Sequence, residues 1–225
     1  MAEDNRYSGM ISAARKLQSF VELFGHWGAF FILPLIIVTM WDVFSRKLVW
    51  IQIFLVENVG RIFESTLLQE LEWHFHTALF ALVLGYGFTR NRHVRVDLVR
   101  MHLQTKTQAT IEFIGTTFFM IPYTIVVIYF CWIFAYDSFI TNEISASLVG
   151  LSHRWIIKYT LFAGLIIALI SGVAVWIQSV LVLFGPSDLR FELMTLEWPE
   201  EKGSGVEGYK RLDLEDENPL ESMKA

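Results

Sequence analysis

The sequence predicts an all-α membrane protein: four transmembrane helices, an interfacial amphipathic helix on the outer side, and both termini in the cytoplasm. Three observations carry this reading. The 225 residues are 54% hydrophobic and only 18% charged, with a mean hydropathy of +0.44, which is too apolar for an ordinary soluble domain. Charges are absent from residues 23–41, 73–89, 113–136 and 159–187, each near the roughly 20 apolar residues that cross a ~30 Å hydrocarbon core. Lys and Arg are also divided unevenly. Thirteen lie in the N-terminal segment, the middle loop and the tail, and five in the other two loops. Basic residues resist translocation, so the richer side is cytoplasmic.

Residues 1–22 form a cytoplasmic N-terminal segment carrying Arg6, Arg15 and Lys16. The first span, about 23–44, has an apolar run too long for the core of a cleaved signal peptide, with no small-residue cleavage site before Asp42. The connector that follows is long. In it Glu57, Arg61 and Glu64 recur at i, i+4 and i+7 while Leu55, Val59, Ile62 and Phe63 fall opposite, the pattern of an in-plane amphipathic helix over about 50–70. A soluble helix packed on the spans is the other reading of that pattern. Spans at about 73–90, 113–136 and 159–185 complete a membrane domain over 23–187. Residues 188–225 turn acidic, with Asp213, Glu215, Asp216 and Glu217 clustered after Gly203 and Gly205, the composition of a disordered cytoplasmic tail.

Several function classes are disfavoured by what the spans lack. A net charge of -5 offers no one-sided basic surface, so no nucleic-acid partner is expected. Cys131 is the single cysteine, which excludes a disulfide framework and a thiolate metal cluster within the chain. The span centres hold no carboxylate or basic side chain, since Asp42 and Glu72 lie at span ends. Chemistry or ion coupling inside a membrane needs such groups, so the chain reads as neither an enzyme nor a self-sufficient transporter. Pro34 and Pro122 can kink the first and third spans, although prolines are common in membrane helices. His26, His74 and His76 raise an alternative, a haem- or quinone-linked anchor subunit of a redox complex. It fits poorly, because His26 belongs near the cytoplasmic end of its span and the other two near the outer end of theirs, whereas two axial ligands must meet at one depth. His74 and His76 also project about 200° apart on one helix. No cofactor or metal is therefore assigned, and a purely structural assembly protein stands as a third class. Gly164, Ala168 and Gly172 recur every fourth residue, as do Ala81 and Gly85. Such smooth faces either close an internal bundle or dock side-on against a larger membrane protein.

A family resemblance emerges around the second span. The chain reads Leu68-Gln69-Glu70-Leu71-Glu72-Trp73-His74, then Gly85-Tyr86-Gly87, then Asn91-Arg92-His93-Val94-Arg95-Val96-Asp97-Leu98. Gln-Glu-x-x-Trp ahead of a span, followed beyond it by His-Val-Arg-Val-Asp, resembles the small, DctQ-like permease subunit of tripartite ATP-independent periplasmic (TRAP) transporters. The resemblance runs roughly over 20–184 and includes Asp42-Val43-Phe44-Ser45-Arg46, Asn142-Glu143-Ile144-Ser145 and residues 150–158. The chain departs from many relatives in reading Ser152-His153-Arg154-Trp155 where they have a proline before the tryptophan, and its first outer loop is longer than in the shortest members. The Glu-Leu-Glu-Trp variant is similar to the branch associated with mannitol, chloroaromatic or 2-oxo-acid uptake.

The resemblance implies a multi-pass subunit of the bacterial inner membrane. It would support a large (DctM-like) permease subunit amid membrane lipids and help dock a periplasmic (DctP-like) substrate-binding protein, for sodium-coupled symport of an organic acid. It also assigns expected roles. His93, Arg95 and Asp97 form a polar clasp at the cytoplasmic turn, where Arg90, Arg92 and Arg95 otherwise read as a positive-inside anchor. Glu70 and Trp73 tie the outer amphipathic helix to the bundle. Glu143 and Trp155 face the binding protein, Glu143 having a solvated loop carboxylate as its plainer reading.

Overall fold

A computed structural model describes residues 2–92, 103–147, 150–186, 189 and 191–196. Every regular element among them is helical: α1 Ala2–Ala29, α2 Ile32–Lys47, α3 Val49–Asn58, a 3-10 turn Arg61–Phe63, α4 Ser65–Thr89, α5 Thr105–Gly115, a π-helical turn Thr116–Met120, α6 Ile121–Ile140 and α7 Trp155–Phe184. Three runs are long and apolar enough to cross a membrane, Tyr7–Lys47, Thr105–Ile140 and Trp155–Phe184. The second predicted span lies on α4, whose 25 residues rise about 37 Å at 1.5 Å per residue. Its first turns carry Gln69, Glu70, Glu72, His74 and His76, which lower its hydropathy.

Both prolines mark breaks, for the same backbone reason. Pro34 has no N–H to offer Phe30, and the Phe30 carbonyl instead accepts from Leu33 at 3.1 Å, a tighter turn that separates α1 from α2. Pro122 follows the π-helical turn at once. There the hydroxyl of Thr116 donates to Glu112 O and that of Thr124 to Met120 O, both at 2.7 Å, as expected where a helix widens ahead of a missing donor.

The hub of the bundle is α7, which packs on α4, α6, α1 and α5. Of its most apolar window 56% is buried, against 11% for the Tyr7–Lys47 run. The α1–α2 run and α6 with the π-helical turn before it therefore turn most of their apolar surface outward, including Trp27, Ile37, Phe119 and Tyr123.

Two expectations need correction. The single amphipathic helix over about 50–70 is broken at Gly60, whose φ of +149° and ψ of 164° lie in a region open essentially to glycine alone. Helix α3 ends at Asn58, with Leu55 O accepting from the N–H groups of both Val59 and Gly60, and residues 65–70 are instead the first turns of α4. Glu57, Arg61 and Glu64 consequently do not share one helical face. The tail, expected to be disordered from 188, is anchored through its first turn of sequence. Thr195 and Leu196 are buried, the Thr195 hydroxyl donates to Glu112 Oε2 at 2.5 Å, and Met194 N–H donates to Gln178 Oε1 at 2.9 Å. Phe191, Leu193, Met194 and Leu196 supply an apolar stretch that the acidic average of the tail conceals. Residues 197–225, and the clasp candidates His93, Arg95 and Asp97, lie outside the described residues.

Candidate functional site

The site is held by close backbone contacts between α4 and its neighbours. A Cβ at Gly164 would lie 2.4 Å from Ala81 O, and one at Gly85 would lie 3.0 Å from Ile167 O, so α4 and α7 touch through small residues. A Cβ at Gly172 would lie 2.9 Å from the end of the Met120 side chain, and Ala168 is buried. Of the two uses open to the Gly164-Ala168-Gly172 face, this is internal closure. Gly25 and Gly28 of α1 play the same part against Tyr86 and Leu82, at 2.4 and 2.6 Å from a would-be Cβ. Sequence reading passed over that Gly-x-x-Gly pair.

Fixed in this way, the start of α4 meets the loop joining α6 to α7. Glu70 is its anchor. The Ser145 hydroxyl donates to Glu70 Oε1 and the Leu151 N–H donates to Oε2, so one carboxylate closes both limbs of the loop. Trp73 lies under the Arg154 guanidinium, 5.1 Å from carbon to ring centroid, and stacks beside His74 at 4.0 Å. Arg154 reaches Glu143 at 3.7 Å, and Lys158 of α7 is hydrogen-bonded to the other Glu143 oxygen. Lys158 also sits 3.6 Å over the Phe134 ring. Trp155 packs edge-on to Phe139 at 5.3 Å. Four of the expected site residues, Glu70, Trp73, Glu143 and Trp155, thus converge on one end of the bundle. Glu70 and Trp73 hold the 141–154 loop there, and not the connector helix as expected.

Glu143 is paired, which corrects its reading as a simple solvated carboxylate. The Lys158 hydrogen bond leads in holding its carboxyl below the ordinary carboxylate range against the opposing effect of burial, with the charges of Lys158 and Arg154 adding smaller contributions. Asn142 and His153 flank the loop with φ of 46° and 63°, left-handed conformations that turn the chain sharply at each limb.

A second junction uses the Asp42-Val-Phe-Ser-Arg segment. Asp42 is 2% exposed; it pairs with Arg46 one turn later and accepts the Ser65 hydroxyl at 2.6 Å. The end of α2 is thereby tied to the first residue of α4. An acid at a span end with Ser and Arg three and four residues on was the available signal. At the opposite end Arg90 pairs with Glu22 at 2.9 Å, linking α4 to α1.

The histidines remain apart. His26 lies 5.3 Å from Tyr86, and Tyr86 is twelve residues from His74 along α4, an axial distance of about 18 Å. His74 itself turns to Glu70 O at 2.6 Å. This geometry does not bring His26 and His74 to a shared iron.

The loop-end network, the Asp42 junction and the α4–α7 seam fall inside a region matched by the family model described as tripartite ATP-independent periplasmic transporters, DctQ component, over residues 35–181. The chain belongs to this family. The match covers well over half of the sequence and lies within the 20–184 region of the resemblance. As a DctQ component it is part of a membrane transporter, working with the other components of a tripartite system. No curated protein and no solved structure matches the chain.

Proposed function

We propose that this DctQ component crosses the bacterial inner membrane four times with both termini cytoplasmic. It would brace the large permease subunit and present the 141–154 loop to the periplasmic substrate-binding protein during sodium-coupled uptake of an organic acid. The supporting observation is that Glu70, Arg154, Glu143 and Lys158 together fix one surface loop at the end of the bundle, while the spans stay bare of carboxylates. A subunit that carries no ion through itself but must hold a fixed shape against two partners has this distribution. The α4 helix is read as the fourth span because its length exceeds ~30 Å and its apolar half packs against α7 and α1. The 8 Lys and Arg of the N-terminal segment and middle loop against 5 in the two other loops set the orientation.

The test is uptake by proteoliposomes holding the purified membrane complex, with binding protein, labelled organic acid and a sodium gradient. Replacing Glu143 and Arg154 together with alanine is expected to raise the binding-protein concentration needed for half-maximal uptake about tenfold, with the complex still intact on gel filtration. Unchanged dependence on binding protein would remove the docking role. Absence of a co-purifying large subunit would remove the bracing role.

A further inference from the structure

Gln178 of α7 is the largest fully enclosed side chain among the described residues, 1% exposed. Its Oε1 accepts the Met194 N–H at 2.9 Å, and that bond fixes which way round the amide sits. Its Nε2 then has no hydrogen-bond partner. An amide donor enclosed in this way has lost its hydration and gained nothing in return, so such groups are rarely left alone. A cavity of about 20 Å³ adjoins the amide. Ala14 and Gln18 of α1 wall it on one side, Gln178 on another, and Glu192 and Met194 of the anchored tail segment close it. One water needs roughly 10–15 Å³ of such space, and a larger molecule does not fit.

The walls select the occupant. A cation is opposed by the Gln178 N–H groups and by Arg15, which also borders the cavity, and an anion is opposed by Glu192. A neutral molecule that both accepts and donates suits all of them. Gln18 offers the second contact, because its Nε2 donates to Glu22 Oε1 at 2.9 Å and its carbonyl oxygen is the end left to accept. From this juxtaposition we infer that the cavity is the site of one ordered water, which accepts from Gln178 Nε2 and donates to Gln18 Oε1. The water holds the amide in the orientation that Met194 requires. It thereby joins α1 to the seat of residues 191–196, which Gln178 and Glu112 hold directly.

The experiment has two arms, both on the full chain purified with its co-expressed transporter components. A cryo-EM map at about 2 Å is expected to show an isolated peak within about 2.7–3.2 Å of both Gln178 Nε2 and Gln18 Oε1. Hydrogen exchange of the 189–196 segment reads the consequence in solution. Gln18→Leu, which touches none of the segment's own bonds, should speed exchange about threefold, and Gln178→Met, which removes the Met194 acceptor, about tenfold or more. The double variant should exchange no faster than Gln178→Met, because one water serves both side chains. Ser12→Ala, exposed on the same helix, should change nothing. Effects of the two substitutions that multiply would overturn the bridge. So would a map in which Gln178 Nε2 donates straight to Gln18 or Glu192 with no peak between, a result that needs no substituted protein to fold.

Discussion

At the residue scale the loop-end network and the α4–α7 seam each make one sharp prediction. Glu143 titrates below its ordinary value of about 4.3, so its pairing contributes stability that is complete above that value and is lost as pH falls through the depressed one. The difference in melting temperature between the wild type and Glu143→Gln is therefore expected to be constant from pH 5 to 8 and to shrink below about pH 4; a gap that persists at low pH would show that the charge is irrelevant. The seam gives the second. Gly164→Ala drives a Cβ to 2.4 Å from a backbone oxygen and should cost about 1–3 kcal/mol or more. Gly172→Ala meets only the end of the Met120 side chain, which can swing aside, and should cost well under half as much in the same denaturation series. Equal losses would mean that α4 and α7 do not touch as described. The sequence motif singled out Glu70, Trp73, Glu143 and Trp155, but not their partners. Ser145 and Leu151 lie 75 and 81 residues from Glu70, and their approach depends on left-handed turns at Asn142 and His153 that no periodicity encodes.

At the scale of elements, hydropathy located the long helices well, because crossing a membrane imposes a length that composition alone reveals. Failure came where one residue overrides a pattern. The i, i+4, i+7 charges around residues 57–64 are genuine, yet Gly60 interrupts the helix that would align them, so a charge pattern was mistaken for a face. Gly60→Ala tests this. Its φ of +149° makes an alanine costly by about 1–3 kcal/mol. Gly9→Ala, in the open on α1 with nothing within 4 Å, should instead be neutral or stabilise by about 0.5–1 kcal/mol. A gain in both variants, read from thermal melts in one detergent, would mean that the helix runs on through position 60. Likewise the anchoring of residues 191–196 was hidden by averaging over an acidic tail, whereas the Met194 N–H and the Thr195 hydroxyl tie this stretch to Gln178 and Glu112.

For the whole molecule the decisive quantity is the number of crossings, and it hinges on α4, the one long helix whose polar first turns leave it outside the three most apolar runs. Its sequence compromises between two solvents: Glu70 belongs with the loop-end network and Glu72 with the Asp42–Arg46 junction, whereas Ala78, Ala81 and Gly85 belong in the bundle. Suppose α4 crosses. Single cysteines replacing Ser8 and Thr107 then lie in the cytoplasm, and those replacing Glu57 and Ser152 lie outside; all four positions are exposed. If α4 does not cross, Thr107 moves outside and Ser152 moves in, because every later segment is inverted. Labelling with a membrane-impermeant maleimide on intact spheroplasts, in a background where buried Cys131 is replaced by alanine, separates the two cases without reference to transport. The expected pattern is modification of the Glu57 and Ser152 positions alone, with Ser8 and Thr107 reacting only after permeabilisation. Reversal at Thr107 and Ser152 together would leave three spans and put the C-terminus outside. Since basic residues flank both sides of α4, the positive-inside bias and the length of the helix must agree for four crossings, and these two positions report on both at once.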